Sequence, residues 1–118
     1  MRHIDCVRRC CMSLSHATEH MQWGGLVFKV AEKVFAWLAL EPGKTWLCFK
    51  CTPEEFAELT EREGIIQAPY FARNHWVALE TEDALPVREL DQRLRRSYEL
   101  VVEKLPKKTR AAITQAHL

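Results

Sequence analysis

The chain has no long hydrophobic run. Its longest uninterrupted apolar stretch is Val34 to Leu40, far short of the ~20 residues a membrane-spanning helix needs. It has no excess of one charge either. Its 17 Lys and Arg face 16 Asp and Glu, a formal charge of +1, so binding to nucleic acid or acidic lipid requires a local basic patch. No apolar stretch follows Arg2, Arg8 and Arg9 to make a secretory signal, and the expectation is a cytoplasmic, bacterial protein. Glycine is scarce, with four residues. GxSxG, P-loop and GxGxxG patterns are all missing, and Gly24-Gly25 reads as a flexible turn. HExxH is absent, as is any nucleophile–base–orienter pattern, so no enzyme, metal or cofactor is expected.

What is present is an ordinary globular composition, 47% hydrophobic and 28% charged, at a length that suits one domain. A domain of this size buries roughly two-thirds of its unfolded surface, enough for one core without staples. The five cysteines are odd in number and read as reduced thiols packed as small hydrophobes. The expected organisation is one domain over residues 1–106 and a basic tail over 107–118.

Apolar periodicity predicts the elements. Ile4, Val7, Cys11 and Leu14 form one stripe of a first helix that stops near Leu14 or Ser15. Ser13 to His20 reads as irregular. Leu26, Phe28 and Val30 alternate as a strand. Val34 to Leu40, apolar on both faces, reads as a central strand. The link Ala31-Glu32 makes these two a hairpin, although neither residue favours the positive φ of the tightest turns. Glu41-Pro42-Gly43-Lys44 is a turn signal. Thr45 to Cys51 is a third strand, with Leu47, Phe49 and Cys51 on one face and Trp46, Cys48 and Lys50 on the other.

Thr52, Pro53 and Glu55 spell a capping box with proline in the first turn of a second helix. Phe56 and Leu59 face its core side, and Gly64 ends it as a left-handed cap. Ile65 to Leu79 reads as a short strand, a loop and a better strand at Trp76 to Leu79, with Pro69 interrupting. Pro86 opens a long last helix in which Val87, Leu90, Leu94, Tyr98, Val101 and Leu105 form one face; Pro106 closes it. Arg88, Arg95, Glu99 and Glu103 make its solvated side. The predicted order is α-β-β-β-α-β-β-α, an α+β fold of two layers, an antiparallel sheet with helices packed on one face.

Few constellations offer chemistry. Cys48 and Cys51 form a CxxC, but on an extended strand residues three apart point to opposite faces, which argues against zinc or redox use. Cys51 also precedes the Thr52 cap, where a thiol can be acidified. His16 and His20, four apart, are read as an exposed loop rather than a metal pair. Arg73-Asn74-His75-Trp76 joins a cation, an amide, an imidazole and a large aromatic, a set able to grip phosphate and stack on a base. The bland alternative makes Trp76 core, Asn74 a turn former, and Arg73 and His75 solvated. Lys29, Lys33 and Lys50 add cations near the sheet.

Several segments together resemble the MmcQ/YjbR family of small bacterial proteins over nearly the whole length. They are Cys11-Met12-Ser13-Leu14; Leu26 to Val30 with Lys33, Phe35 and Ala36; Lys50 to Glu55; Ala68-Pro69-Tyr70; Asn74-His75-Trp76; Ser97 to Val102; and Lys104-Leu105-Pro106. The resemblance implies a CyaY- and frataxin-like two-layer fold. It also implies a non-enzymatic DNA-binding protein with double-wing contacts, and it matches Lys33, Lys50, Asn74, His75, Trp76 and Lys104 to the family pattern. The chain departs from that pattern at Ser15-His16, where the family often has Pro-Gly. It departs again at Ala31-Glu32, where the family often has Gly-Gly or Gly-Asn.

Three functions are thereby in view. The first is weak, sequence-tolerant DNA binding through Lys33, Lys50, Arg73, Asn74, His75, Trp76 and Lys104. The second is a protein-interaction or chaperone-like domain using an aromatic sheet face, with the molecule a monomer or weak homodimer. The third is a small-molecule pocket at Lys50, Tyr70, His75 and Trp76. A frataxin-style iron role is not expected, since the first helix carries three arginines against Asp5.

Overall fold

Alternating apolar residues set the sheet, and two helical stripes cover it. The computed structural model describes residues 3–41, 43, 45–69 and 75–115. Arg2, Pro42, Lys44 and the loop residues from Tyr70 to Asn74, Arg73 among them, lie outside the described residues. The elements in chain order are α1 (His3–Met12), β1 (Thr18–Gln22), β2 (Gly25–Val30), β3 (Lys33–Ala39) and β4 (Leu47–Lys50). Then come α2 (Pro53–Leu59), β5 (Ile65–Gln67), β6 (Trp76–Leu79), α3 (Val87–Glu103) and α4 (Lys107–Gln115). The strands form one six-stranded sheet in the order β1-β2-β3-β4-β6-β5, with antiparallel neighbours throughout. This is the expected α+β architecture, enlarged by the edge strand β1 and the helix α4.

The core lies between sheet and helices. Phe28, Phe35, Leu38, Leu47 and Phe49 meet Val7 and Cys11 of α1 and Leu90 and Leu94 of α3, all fully or almost fully buried. Each such side chain contributes about 1.5–3 kcal/mol by leaving water. Tyr98 of α3 stands edge-on to Phe35, centroids 5.4 Å apart, and its hydroxyl donates to the Ser15 carbonyl at 2.6 Å. Val87, expected on the same buried stripe, is 43% exposed, because it sits at the helix start beyond the edge of the core. The sheet's other face carries a smaller cluster of Cys48, Ala68, Trp76 and Ala78, with Val34, Trp37 and Ile66 against it.

The α2 capping box forms as read: Glu55 N–H donates to Thr52 Oγ1 at 3.1 Å and Thr52 N–H to Glu55 Oε1 at 2.8 Å. The helix ends earlier than Gly64, with Thr60 at its C-cap; Gly64 (φ +84°) serves the turn into β5 instead. Within the span read as a basic tail, Lys107–Gln115 form α4; Ile113 is 6% exposed within the main core, and its carbonyl accepts from Ser15 Oγ at 3.3 Å.

Both two-residue hairpin turns use positive φ at both positions, as right-twisted strands favour. Trp23 (53°) and Gly24 (73°) join β1 to β2, and Ala31 (49°) and Glu32 (67°) join β2 to β3. Only Gly24 suits that geometry; Ala31 and Glu32 adopt it against their own preference. Gly25 is not a flexible link. A Cβ there would lie 2.3 Å from the Leu38 carbonyl oxygen, so the backbones meet where no side chain fits. The β2–β3 register shifts at Phe28/Lys29, a bulge that sends both Phe35 and Ala36 into the helix-facing core.

Candidate functional site

Sheet register gathers most of the predicted site residues at one end of the molecule. Lys50 ends β4 and pairs with Trp76, the first residue of β6, while Lys33 opens β3 beside the β2–β3 turn. Between them the strands splay, and a helix residue fills the gap. The Lys50 backbone N–H donates to Ser97 Oγ at 2.9 Å, and that hydroxyl donates to the Phe35 carbonyl at 2.7 Å. Ser97 is fully buried, so one α3 hydroxyl replaces a direct β3–β4 bond and fixes the backbone from which Lys50 projects. Ser97 was readable as a polar residue on the apolar face of the last helix, three positions after Leu94 and four before Val101.

Lys50 is half-buried. Burial lowers its pKa from the ordinary lysine value, and the nearby Lys104 charge lowers it further. Lys104 is the exposed C-cap of α3. Two cations are thus held close enough to repel, with Lys33 exposed at the same end of the sheet. Glu32 at the turn tip is an opposing charge.

His75 is anchored. Its carbonyl accepts from Cys51 N–H at 3.1 Å and Cys51 Sγ at 3.2 Å, its φ is 59°, and its ring stands edge-on to Phe56 at 5.6 Å. Trp76 corrects the stacking expectation. It is 4% exposed within the cluster on the open sheet face, so its ring offers no platform for a base. Lys33, Lys50, His75 and Lys104 remain at this end; Arg73 and Asn74 fall outside the described residues.

The cysteines are packing. Cys48 lies in the small cluster and Cys51 in the main core, on opposite faces of the sheet. The Cys51 thiol is not acidified by the α2 N-terminus: burial, with Glu55 nearby, pushes its pKa up to about 12. Burial does the same to Cys10 and Cys48. His16 and His20 each lie against a neighbouring hydroxyl. His16 Nδ1 lies 2.9 Å from Ser15 Oγ, and His20 Nε2 lies 2.9 Å from Thr18 Oγ1. Among the described residues no group of three or more His, Cys, Asp or Glu could hold a metal, and no helix is long and apolar enough to cross a membrane.

Fold and site together define a small two-layer α+β protein with a lysine-bearing sheet end, and similar solved structures share its fold. The family model for YjbR matches residues 12–100, and the chain belongs to the YjbR family. Among solved structures it is similar to a Deinococcus radiodurans protein with the DUF419 domain, at TM-score 0.79 and 27% identity, covering 94% of this chain and 87% of that one. It is also similar in fold to a Pseudomonas syringae protein, at TM-score 0.69 and 19% identity, covering 85% of this chain and 98% of the other. No curated protein matches the chain.

Proposed function

We propose that the protein binds the phosphate backbone of DNA weakly, without sequence preference and without catalysing a reaction, through Lys33, Lys50 and Lys104. The observation that carries this reading is the like-charged pair. Lys50 is half-buried beside Lys104, and its proton affinity is lowered first by burial and then by that neighbour's charge, a repulsion that an anion between them would relieve. Three phosphate contacts imply an affinity falling with salt at a log–log slope of about −3 on duplex DNA. Glu32 weakens the approach, in keeping with low affinity.

Fluorescence anisotropy of a labelled 20-base-pair duplex tests it, at low and then at physiological salt. The expected result is micromolar binding at low salt, lost in the combined Lys33→Gln, Lys50→Gln, Lys104→Gln variant. No binding at tens of micromolar protein, or equal binding by the variant, refutes it.

A second reading rests on a different surface. Met21 (73% exposed), Trp23 (64%) and Leu40 (42%) cluster at the opposite end of the sheet, beside the edge strand β1. Exposed aromatics of this kind anchor protein interfaces, and the partner this reading names is a second copy of the chain. Sedimentation velocity across concentrations would then show a dimer that Trp23→Ser abolishes.

A further inference from the structure

On the outer side of the helical layer, α1 and α3 leave a groove of about 750 Å³, lined by Arg9, Arg88, Asp91, Gln92 and Arg95 among others. Three arginines against one aspartate leave two positive charges there, in a chain whose whole formal charge is +1. The single carboxylate is already engaged: Arg95 Nε donates to Asp91 Oδ2 at 3.1 Å.

Other arginines of the helical layer have carboxylate partners. Arg8 pairs with Glu19, Arg62 with Glu89, and Arg93 and Arg96 share Glu55, Glu58, Glu89 and Glu99. Arg9 and Arg88 are exposed on the groove, and neither forms an ion pair with any carboxylate among the described residues. Pro86, at the N-cap of α3, supplies no side-chain acceptor to its first turn, and the Glu89 carboxylate in that turn is taken by Arg62 and Arg93.

We propose that this groove binds a small phosphomonoester. Guanidinium groups present planar forks that match phosphate oxygens two at a time. A phosphomonoester carries about −1.5 to −2 charge at pH 7, which balances the two uncompensated cations. The Gln92 amide adds a neutral donor for the ester portion. The site is separate from the lysine end of the sheet: Arg88 and Lys104 lie about 24 Å apart along α3. It stands whether or not the protein binds DNA.

The test is a titration of the ¹⁵N-labelled protein with glycerol 2-phosphate, following backbone amides and arginine Nε–H signals, with sodium chloride at matched ionic strength as the reference. The expected result is saturable shifts confined to α1 and the first half of α3. The Arg9→Gln, Arg88→Gln double variant should raise Kd at least tenfold, whereas Lys50→Gln with Lys104→Gln should leave it unchanged. Both arginines are exposed, and the same spectra report whether the variant stays folded. Shifts that never saturate, that sodium chloride reproduces, or that persist unchanged in the folded arginine variant overturn the proposal.

Discussion

Replacing Ser97 with alanine should be a damaging small change, because one hydroxyl satisfies two backbone groups on different strands, one buried and one partly buried. In Ser97→Ala the Lys50 N–H and the Phe35 carbonyl lose their shared partner. Each unsatisfied buried group costs about 1–3 kcal/mol. Partial closure of the two strands recovers some of that, leaving a net loss of about 3 kcal/mol. A chain of this length unfolds with an entropy of about 0.25 kcal/mol per kelvin, so the melting temperature should fall by about 10 °C. Calorimetry or circular dichroism melts of the two proteins give the answer, with urea midpoints as a second reading. Hydrogen exchange should localise the damage, with the Lys50 amide losing protection before the amides of Leu38 and Leu47. A melting temperature within 2 °C of the parent's (about 0.5 kcal/mol) would refute the reasoning, since it would mean that the strands pair directly once the hydroxyl is gone.

Three other outcomes follow from the same structure. Glu89 accepts from Arg62 at 2.7 and 2.9 Å and from Arg93 at 2.9 Å. The Arg62 hydrogen bond foremost holds its pKa down at about 2, against an ordinary 4.5. Its contribution is therefore complete above pH ~4.5 and fades as pH falls toward ~2; with solvent screening it amounts to about 1–2 kcal/mol. Urea midpoints of parent and Glu89→Gln should converge over that window, and a gap that stays constant with pH would count against it. A thiol with a pKa of about 12 is roughly one part in ten thousand thiolate at pH 8, so Cys10, Cys48 and Cys51 should resist Ellman's reagent in the native protein. Half-buried Cys6 should react first and the other four only on unfolding; two or more fast native thiols would contradict the packing. Exchanging the turn residues Ala31→Asn and Glu32→Gly should relieve two strained positive-φ positions, raising stability by about 1–3 kcal/mol. It should also tighten DNA binding by removing the Glu32 charge; lower stability in a melt would show that the turn is not strained.

Legibility from the sequence followed the strength of each local signal. The capping box at Thr52 and Glu55 was readable because it is chemistry between residues three apart, and it forms as read. The last helix was readable because Leu90, Leu94, Tyr98 and Val101 face one core. β1 was not, since Thr18 to Gln22 is an edge strand exposed on most positions and shows no apolar alternation. α4 was legible only as a basic tail with a frayed or briefly helical end, since among its described positions Ile113 is the one buried hydrophobe. The meeting of Lys50 with Lys104 needed the β4–β6 register and the docking of α3, neither of which is local. Trp76 could be read as core or as site, and only its neighbours across the sheet decide for core. The arginine groove was hidden for the opposite reason: Arg9, Arg88 and Arg95 each look like ordinary solvated positions until two helices are laid side by side.

The contact between Ser15 and Ile113 spans 98 positions of the chain and has a consequence for the protein's synthesis. Joining points so far apart costs about 4 kcal/mol of loop-closure entropy, so it pairs only after the intervening sheet has shortened the distance. On a ribosome adding about 5–20 residues per second, the segment after α1 waits about 5–20 s for its partner to be made. During that interval Ser15 and the core beside it lack Ile113. The growing chain therefore carries an unfinished apolar seam until α4 emerges, and it is in that interval that a chaperone would find the protein.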